Sequence, residues 1–269
     1  MEPGIYTDLT NEAYHSGPGV SKSGLDLIAD CPSKFLWNKQ APVDEEKTAA
    51  LDMGTALHCV ILEPEEFEDR FIVAPVFNGR TNEGKAAKKA FYEDCASLGK
   101  TIMTAEEGRK LKIMRESVMA HPTARWLLEE EGQNEASIYW SDEETGELCR
   151  IRPDRMISDR ALIVDVKKVD DMSRFKRHIE EFRYHVQDAM YSHGFKQHFG
   201  EDATFLFLAV SSSINAGRYP VDVIDLTPDW KEAGFELFRR DLDTYHQCRT
   251  ADDWMHIHTL ERPRWARAA

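Results

Sequence analysis

The sequence predicts an α/β fold: a central mixed sheet that contains an antiparallel meander and is flanked by helices. Three observations lead there. Between residues 136 and 167 the apolar pattern takes the period of strands and is interrupted by two turn signals. Residues 204–210 (TFLFLAV) are almost wholly apolar, as in a strand covered on both faces. Segments of helical period precede and separate these runs.

Residues 1–20, rich in Gly, Pro, Tyr and Asn, read as an extended arm. Ser21 or Ser23 then caps a short helix from Lys22 to Asp30. Residues 43–48 form a polar loop, and a helix runs from Thr48 to Leu62 with Leu51, Ala56, Leu57 and Ile61 among its apolar positions. A short strand, Arg70–Ala74, and a loop over 76–83 follow. Helices are expected at 83–98 and 104–120, separated by Gly99, and near Thr123–Glu131. The meander comprises strands Ala136–Trp140, Glu147–Asp154 and Ala161–Lys167, with turns at 142–146 and 158–160. One long helix is expected over Ser173–Phe199, with Phe175, Ile179, Phe182, Val186, Ala189 and Met190 on its apolar face and Gly200 as its stop. Strands at Thr204–Val210 and Arg218–Asp225 and a last helix from Pro228 to Cys248 complete the order.

At 269 residues a single core is expected, with an arm and short helix over 1–50, a core over 51–250 and a tail over 251–269. No run of 18 apolar residues exists, so no membrane-spanning helix is expected. The first residues, MEPGIY, lack the basic and apolar regions of a signal peptide. Five widely spaced cysteines without a CxxC pair read as free thiols in a reducing cytoplasm, not as a disulfide framework or a zinc site. A net charge of −14 excludes a protein that coats nucleic acid with its whole surface, although a local groove remains compatible with it.

The chemistry centres on Arg152-Pro153-Asp154 and Asp165-Val166-Lys167. With a hairpin tip at Asp159–Arg160, Asp154 and Asp165 lie opposite each other, with Cβ atoms about 4.5–5.5 Å apart. Two carboxylates so close repel unless a cation lies between them, and hard oxygen donors suit Mg²⁺. Lys167 shares the face of Asp165 and can orient a water or stabilise charge on a phosphate. Gln187 and Tyr191, four residues apart, share a helix face. Gly54-Thr55-Ala56-Leu57-His58 adds a histidine on an early helix.

Pro153-Asp154 with Asp165-Val166-Lys167 resembles the PD-(D/E)XK nuclease signature, and so implies a restriction-endonuclease-like core. The Gln187-x-x-x-Tyr191 pair and the Gly54–His58 segment resemble motifs of its RecB-like and exonuclease VIII-like branch. Segments 62–67, 70–75 and 183–188, together with Gly4-Ile5-Tyr6, Ser21-Lys22-Ser23 and Pro263-Arg264-Trp265, are similar to the C-terminal nuclease domain of exonuclease VIII (RecE type). The resemblance implies a bacterial or phage-encoded 5′→3′ exonuclease on double-stranded DNA that releases 5′-mononucleotides and leaves a 3′ single strand for recombination. It implies Mg²⁺ as cofactor, with Mn²⁺ as a substitute, held by Asp154, Asp165 and His58. Lys167 assists the water, and Gln187 and Tyr191 complete the catalytic set. Expected partners are DNA ends, an annealing protein of RecT type and further copies in a tetrameric ring. The bacterial enzyme has a large N-terminal extension, so this sequence reads either as a compact phage-type homologue or as an excised domain.

Ser21 and Ser23 are candidates to hold the 5′ phosphate, and Arg80, Lys85, Lys88 and Lys89 to contact the DNA backbone. Glu63, Glu65 or Glu66 is the expected source of a further carboxylate ligand. His178, His185 and His193 are assigned no metal, Cys59 is read as packing, and Lys168 points away from Lys167. The alternatives are a RecB-like nuclease of other polarity, whose four-cysteine iron–sulfur site has no counterpart in this pattern, and a DNA-end scaffold without catalysis.

Overall fold

A computed structural model describes residues 1–42, 53–257, 259–263 and 266. The polar loop at 43–48, the expected first turns of the Thr48–Leu62 helix, and Arg264 and Trp265 lie outside the described residues.

The first 42 residues are more structured than an extended arm. They form β1 (Gly4–Tyr6), α1 (Asn11–Ser16), α2 (Lys22–Asp30) and α3 (Pro32–Gln40). Thr10 and Ser21 cap α1 and α2 through side-chain oxygens, as expected for Ser21. β1 is a strand because β5 supplies a partner, which its local composition does not announce. Next come α4 (Met53–Leu62), the single turn α5 (Phe67–Arg70), β2 (Phe71–Val73), α6 (Asn82–Cys95), β3 (Thr101–Met103), α7 (Ala105–Ala120) and α8 (Pro122–Glu129). β2 and β3 pair in parallel, and β3 is a three-residue strand that the sequence pattern did not separate from the helices.

The second half carries β4 (Gln133–Asn134), β5 (Ser137–Ser141), β6 (Leu148–Ile151), β7 (Arg155–Ile157), β8 (Leu162–Val169), α9 (Phe175–Glu181), α10 (Tyr184–Phe199), β9 (Thr204–Ser211), β10 (Val221–Ile224) and α11 (Pro228–Ala251). The strands form a mixed five-stranded sheet, β10-β9-β8-β7-β4, and a separate sheet, β1-β5-β6. The expected single meander is therefore split. The predicted strand Glu147–Asp154 ends at Ile151, and the chain resumes in the other sheet at Arg155. Pro153 has no N–H to give a ladder, which explains the break.

Two apolar clusters sandwich the main sheet. Along β9, Phe205, Phe207 and Ala209 face one and Leu208 and Val210 the other, and all five are fully buried. Along β8, Ile163 and Val169 take the first face and Val164 and Val166 the second. This is the two-residue alternation of a strand covered on both sides. The parallel pairing of β8 with β9 requires a crossover, which α9 and α10 provide.

That crossover is not one helix. α9 ends before Phe182, and Arg183 adopts a left-handed backbone (φ 54°) before α10 begins. Phe182, expected on the apolar face, is 48% exposed because the break turns it outward. Among the described residues, no helix is long and apolar enough to cross a membrane.

α10 and α11 pack so closely that a Cβ on Gly234 would lie 2.1 Å from the carbonyl oxygen of His185. Backbone cannot yield as a side chain can. Gly234→Ala is expected to lower stability by about 1–3 kcal/mol, the range for overpacking, read as a lower midpoint of urea unfolding. A midpoint equal to wild type would show that the helices separate without cost.

Candidate active site

From β4 to β7 the chain changes sheets twice, once between β4 and β5 and once between β6 and β7. Glu135 stands at the first junction and Asp154 at the second. The Glu135 N–H donates to the Asp154 carbonyl at 3.2 Å, so the junctions lie side by side. Glu135 holds a left-handed φ of 53°, a conformation disfavoured for a residue with a Cβ. Asn134 fixes this turn by donating to Leu62 O at 2.6 Å and accepting from Arg155 at 2.7 Å.

Asp154 and Asp165 come together as expected. The β7–β8 pairing ends at Arg155↔Val164, one step before them, and the Asp154 carboxylate instead accepts from the Val166 N–H at 2.6 Å. His58 arrives from α4, whose Ala56, Leu57, Cys59, Ile61 and Leu62 are buried. Its Nε2 lies 2.7 Å from Val166 O and its Nδ1 3.5 Å from Asp154 Oδ2. Donor atoms of His58, Glu135 and Asp154 lie within 4.8 Å of one another, the one such group of metal-binding type among the described residues. The carboxylate gathered beside His58 and Asp154 is Glu135, not Glu63, Glu65 or Glu66; Glu63 is paired with Arg70 at 2.9 Å. Glu135 precedes a predicted strand by one residue, and nothing in its local sequence marks it.

Asp165 is turned toward other groups. Its Oδ1 accepts from Gln187 Nε2 at 2.5 Å, and its buried Oδ2 has Lys167 Nζ at 2.6 Å but no aligned hydrogen bond. Lys167 Nζ also sits 4.8 Å from the centre of the Tyr184 ring. Tyr191 packs edge-on against Phe205 and is buried close enough to Asp165 and Asp154 to feel their charge. The Gln187–Tyr191 face of α10 thereby reaches both acid-bearing segments.

The electrostatics follow from crowding and burial. Burial pushes the Asp154 carboxyl up to about 6, His58 opposes this, and Asp165 adds to it. Glu135 is raised to about 7 by burial and then by Asp154. Burial alone would lower His58 and Lys167, but the neighbouring carboxylates outweigh it and raise both. Lys167 is therefore an ammonium, and the carboxyl groups hold protons more tightly than free ones.

Two cavities flank these groups. One of about 770 Å³ is lined by His58, Glu135, Arg152, Glu63 and Thr7–Asn11. The other, about 520 Å³, is lined by Lys167, Gln187, Tyr184, Arg183, Lys22 and Asp26. Ser21 and Ser23 flank Lys22, and their hydroxyls lie 3.0 Å apart. Arg80, Lys85 and Lys88 are exposed and line neither cavity; Lys85 and Lys88 lie on α6. Lys168 points to the opposite face, where it pairs with Asp170 at 3.1 Å. His185 bonds Ile179 O, and His193 packs among Trp140, Phe235 and Phe238.

The chain is similar in structure to a candidate exonuclease from Eubacterium rectale, at 16% identity and a TM-score of 0.59, with 96% of each chain covered. It also aligns with a phage-related exonuclease from Haemophilus somnus 129PT at 14% identity and a TM-score of 0.31, covering 74% of this chain and 95% of that one. At such identities the first likeness is one of fold, and the second carries no weight. No curated protein matches the sequence. Residues 21–256 match the family described as a PDDEXK-like domain of unknown function (DUF3799). With Pro153-Asp154 at the sheet break and Asp165-Val166-Lys167 on β8, the chain belongs to this PDDEXK-like family.

Proposed function

We propose that the protein is a Mg²⁺-dependent exonuclease that degrades double-stranded DNA from 5′ ends, releases 5′-mononucleotides and leaves a 3′ strand for annealing. The observation that carries the hydrolytic part is the convergence of Asp154, Asp165, His58 and Lys167 at the break between the sheets. The polarity, the recombination role, a RecT-type partner and a ring of copies rest on the resemblance to the exonuclease VIII type.

The residues fit a divalent cation. His58, Glu135 and Asp154 offer one nitrogen and carboxylate oxygens in one small space, and the buried Oδ2 of Asp165 has Lys167 Nζ at 2.6 Å as its partner. Those side chains would hold the metal; the carboxylate oxygens suit Mg²⁺ or Mn²⁺, and the imidazole nitrogen is better accommodated by Mn²⁺ than by Mg²⁺. When bound, such an ion polarises a phosphoryl oxygen and makes a coordinated water more acidic. Lys167, kept charged by Asp165, stabilises negative charge at phosphorus and orients the attacking water. Gln187 fixes Asp165, and Asp165 in turn fixes Lys167. Tyr191, buried near Asp154 and Asp165, packs against Phe205 of β9. In this reading Ser21 and Ser23, beside Lys22, would meet a 5′ phosphate, and Arg80, Lys85 and Lys88 would contact the DNA backbone.

The first test uses linear duplex labelled at one 5′ end, with Mg²⁺ or with EDTA. Early release of labelled mononucleotide, with Mg²⁺ only, is the expected result. Tight binding without product would instead favour a scaffold, and cutting of closed circles would exclude an exonuclease. Lys167→Ala and Asp165→Ala are each expected to slow release by roughly 10²–10⁴-fold while the far-UV circular dichroism stays native. Near-wild-type rates for Lys167→Ala would remove that residue from the chemistry.

The raised carboxyl values give a second test. Between about pH 4 and pH 7 the folded protein retains protons on Asp154 and Glu135 that the unfolded chain has released. Without divalent ions, stability therefore falls as pH rises through this window, and the raised His58 acts in the same direction. Mg²⁺ competes with those protons, so its stabilisation should be larger at about pH 8 than at about pH 5. Glu135→Gln is expected to flatten the metal-free slope. Equal Mg²⁺ stabilisation at both pH values would argue against carboxylate ligation here.

A further inference from the structure

We infer that Arg183 is a positioning residue that sets Gln187 against Asp165 and Tyr184 against Lys167. The inference rests on the nuclease reading above and extends it to a residue outside the acid cluster. Arg183 is the joint between α9 and α10. Its N–H donates to Glu180 O at 3.2 Å, which closes α9, and its carbonyl accepts from Val186 and Gln187 N–H groups at 3.1 and 3.2 Å, which opens α10. The next residue, Tyr184, places its ring beside Lys167 Nζ, and Gln187, one turn later, holds Asp165. The start of α10 therefore decides where two contacts to the proposed catalytic groups fall.

The joint is strained and then pinned. A left-handed φ of 54° is unfavourable for a residue with a Cβ, and such outliers persist only where the surroundings impose them. Here the guanidinium bonds Asp26 of α2 at 3.1 Å and reaches Asp241 of α11, whose side chain is 2% exposed. Lys22 of α2 fixes the neighbouring residue by donating to Phe182 O at 2.8 Å. Two helices, α2 and α11, thus hold one turn of backbone. A glycine would adopt the same φ without strain but would have no arm to hold it. Arg183 also lines the 520 Å³ cavity with Lys167 and Gln187 and is only 19% exposed, so the joint lies at the wall of the proposed site.

The test is steady-state hydrolysis of linear duplex with Mg²⁺ by Arg183→Ala, Arg183→Lys, Gln187→Leu and the Arg183→Ala/Gln187→Leu double variant. Small misplacements of catalytic groups cost about 10²-fold. A kcat lowered by about 10-fold to 100-fold in Arg183→Ala, with KM within about twofold, is expected, and partial recovery in Arg183→Lys. The double variant should be slower than Gln187→Leu by a smaller factor than Arg183→Ala is slower than wild type, because only the Tyr184 contact is left to lose. Multiplicative losses, or a rise in KM at unchanged kcat, would overturn the inference, the latter because Arg183 would then contact substrate. If Arg183→Ala does not fold, Asp26→Asn, which removes one anchor at a half-exposed position, should give a smaller kcat loss of the same kind. If wild type hydrolyses no DNA, the nuclease reading fails. The inference is then decided by the Gln187 side-chain amide resonance, identified by its loss in Gln187→Leu. Movement toward the free-amide position in Arg183→Ala or Asp26→Asn supports the inference, and no movement overturns it.

Discussion

A proline cannot donate to a strand ladder, and at Pro153 the chain leaves one sheet for another. The rest of the site follows from that break. Were β6 to run on into β7, Asp154 would be one side chain in a flat hairpin. Instead the chain turns, the Asp154 carboxylate caps the N–H of Val166, and the reverse crossing at Glu135 lies against it. Carboxylates are thereby brought together at a point with no sheet on one side. Their mutual repulsion and burial appear as raised affinities for protons, the same affinity that a divalent cation would use.

The scaffold around the break relies on buried arginines whose donors go to backbone. Arg150 reaches the carbonyls of Tyr14, His15, Gly17 and Pro18, Arg152 that of Leu9, and Arg155 those of Leu127 and Glu130. A buried guanidinium is costly unless its donors are satisfied, and irregular backbone near a cavity supplies unsatisfied carbonyls. Each need meets the other. These arginines fasten residues 9–18 and 127–130 to the strands beside the break. Arg152 also lines the 770 Å³ cavity with Glu135 and opposes the rise of its carboxyl, while Lys22 and Arg183 line the second cavity with Lys167.

Much of this was legible in the sequence. The two-sided burial of β9 follows from its unbroken apolar run, and the Ser21 cap from a hydroxyl before a helical pattern. Asp154, Asp165 and Lys167 were singled out by residue type and spacing, and His58, Gln187 and Tyr191 by resemblance to family motifs; the fold brings them to one region. The misses share a cause. β1, β3 and the split of the meander depend on which strand lies alongside, and the break at Arg183 depends on Asp26 and Asp241, which are 157 and 58 residues away.

The sequence by itself determined the local periods, the caps and the acid, base and amide types available to the chemistry, because those depend on neighbours within a turn or a pleat. Tertiary structure alone decided that Glu135 rather than Glu63 joins His58 and Asp154, and that Asp165 faces Gln187 and Lys167. The physical reason is that ligand distance and charge crowding are set by the meeting of two sheets and a helix. No segment of the chain encodes that meeting within itself.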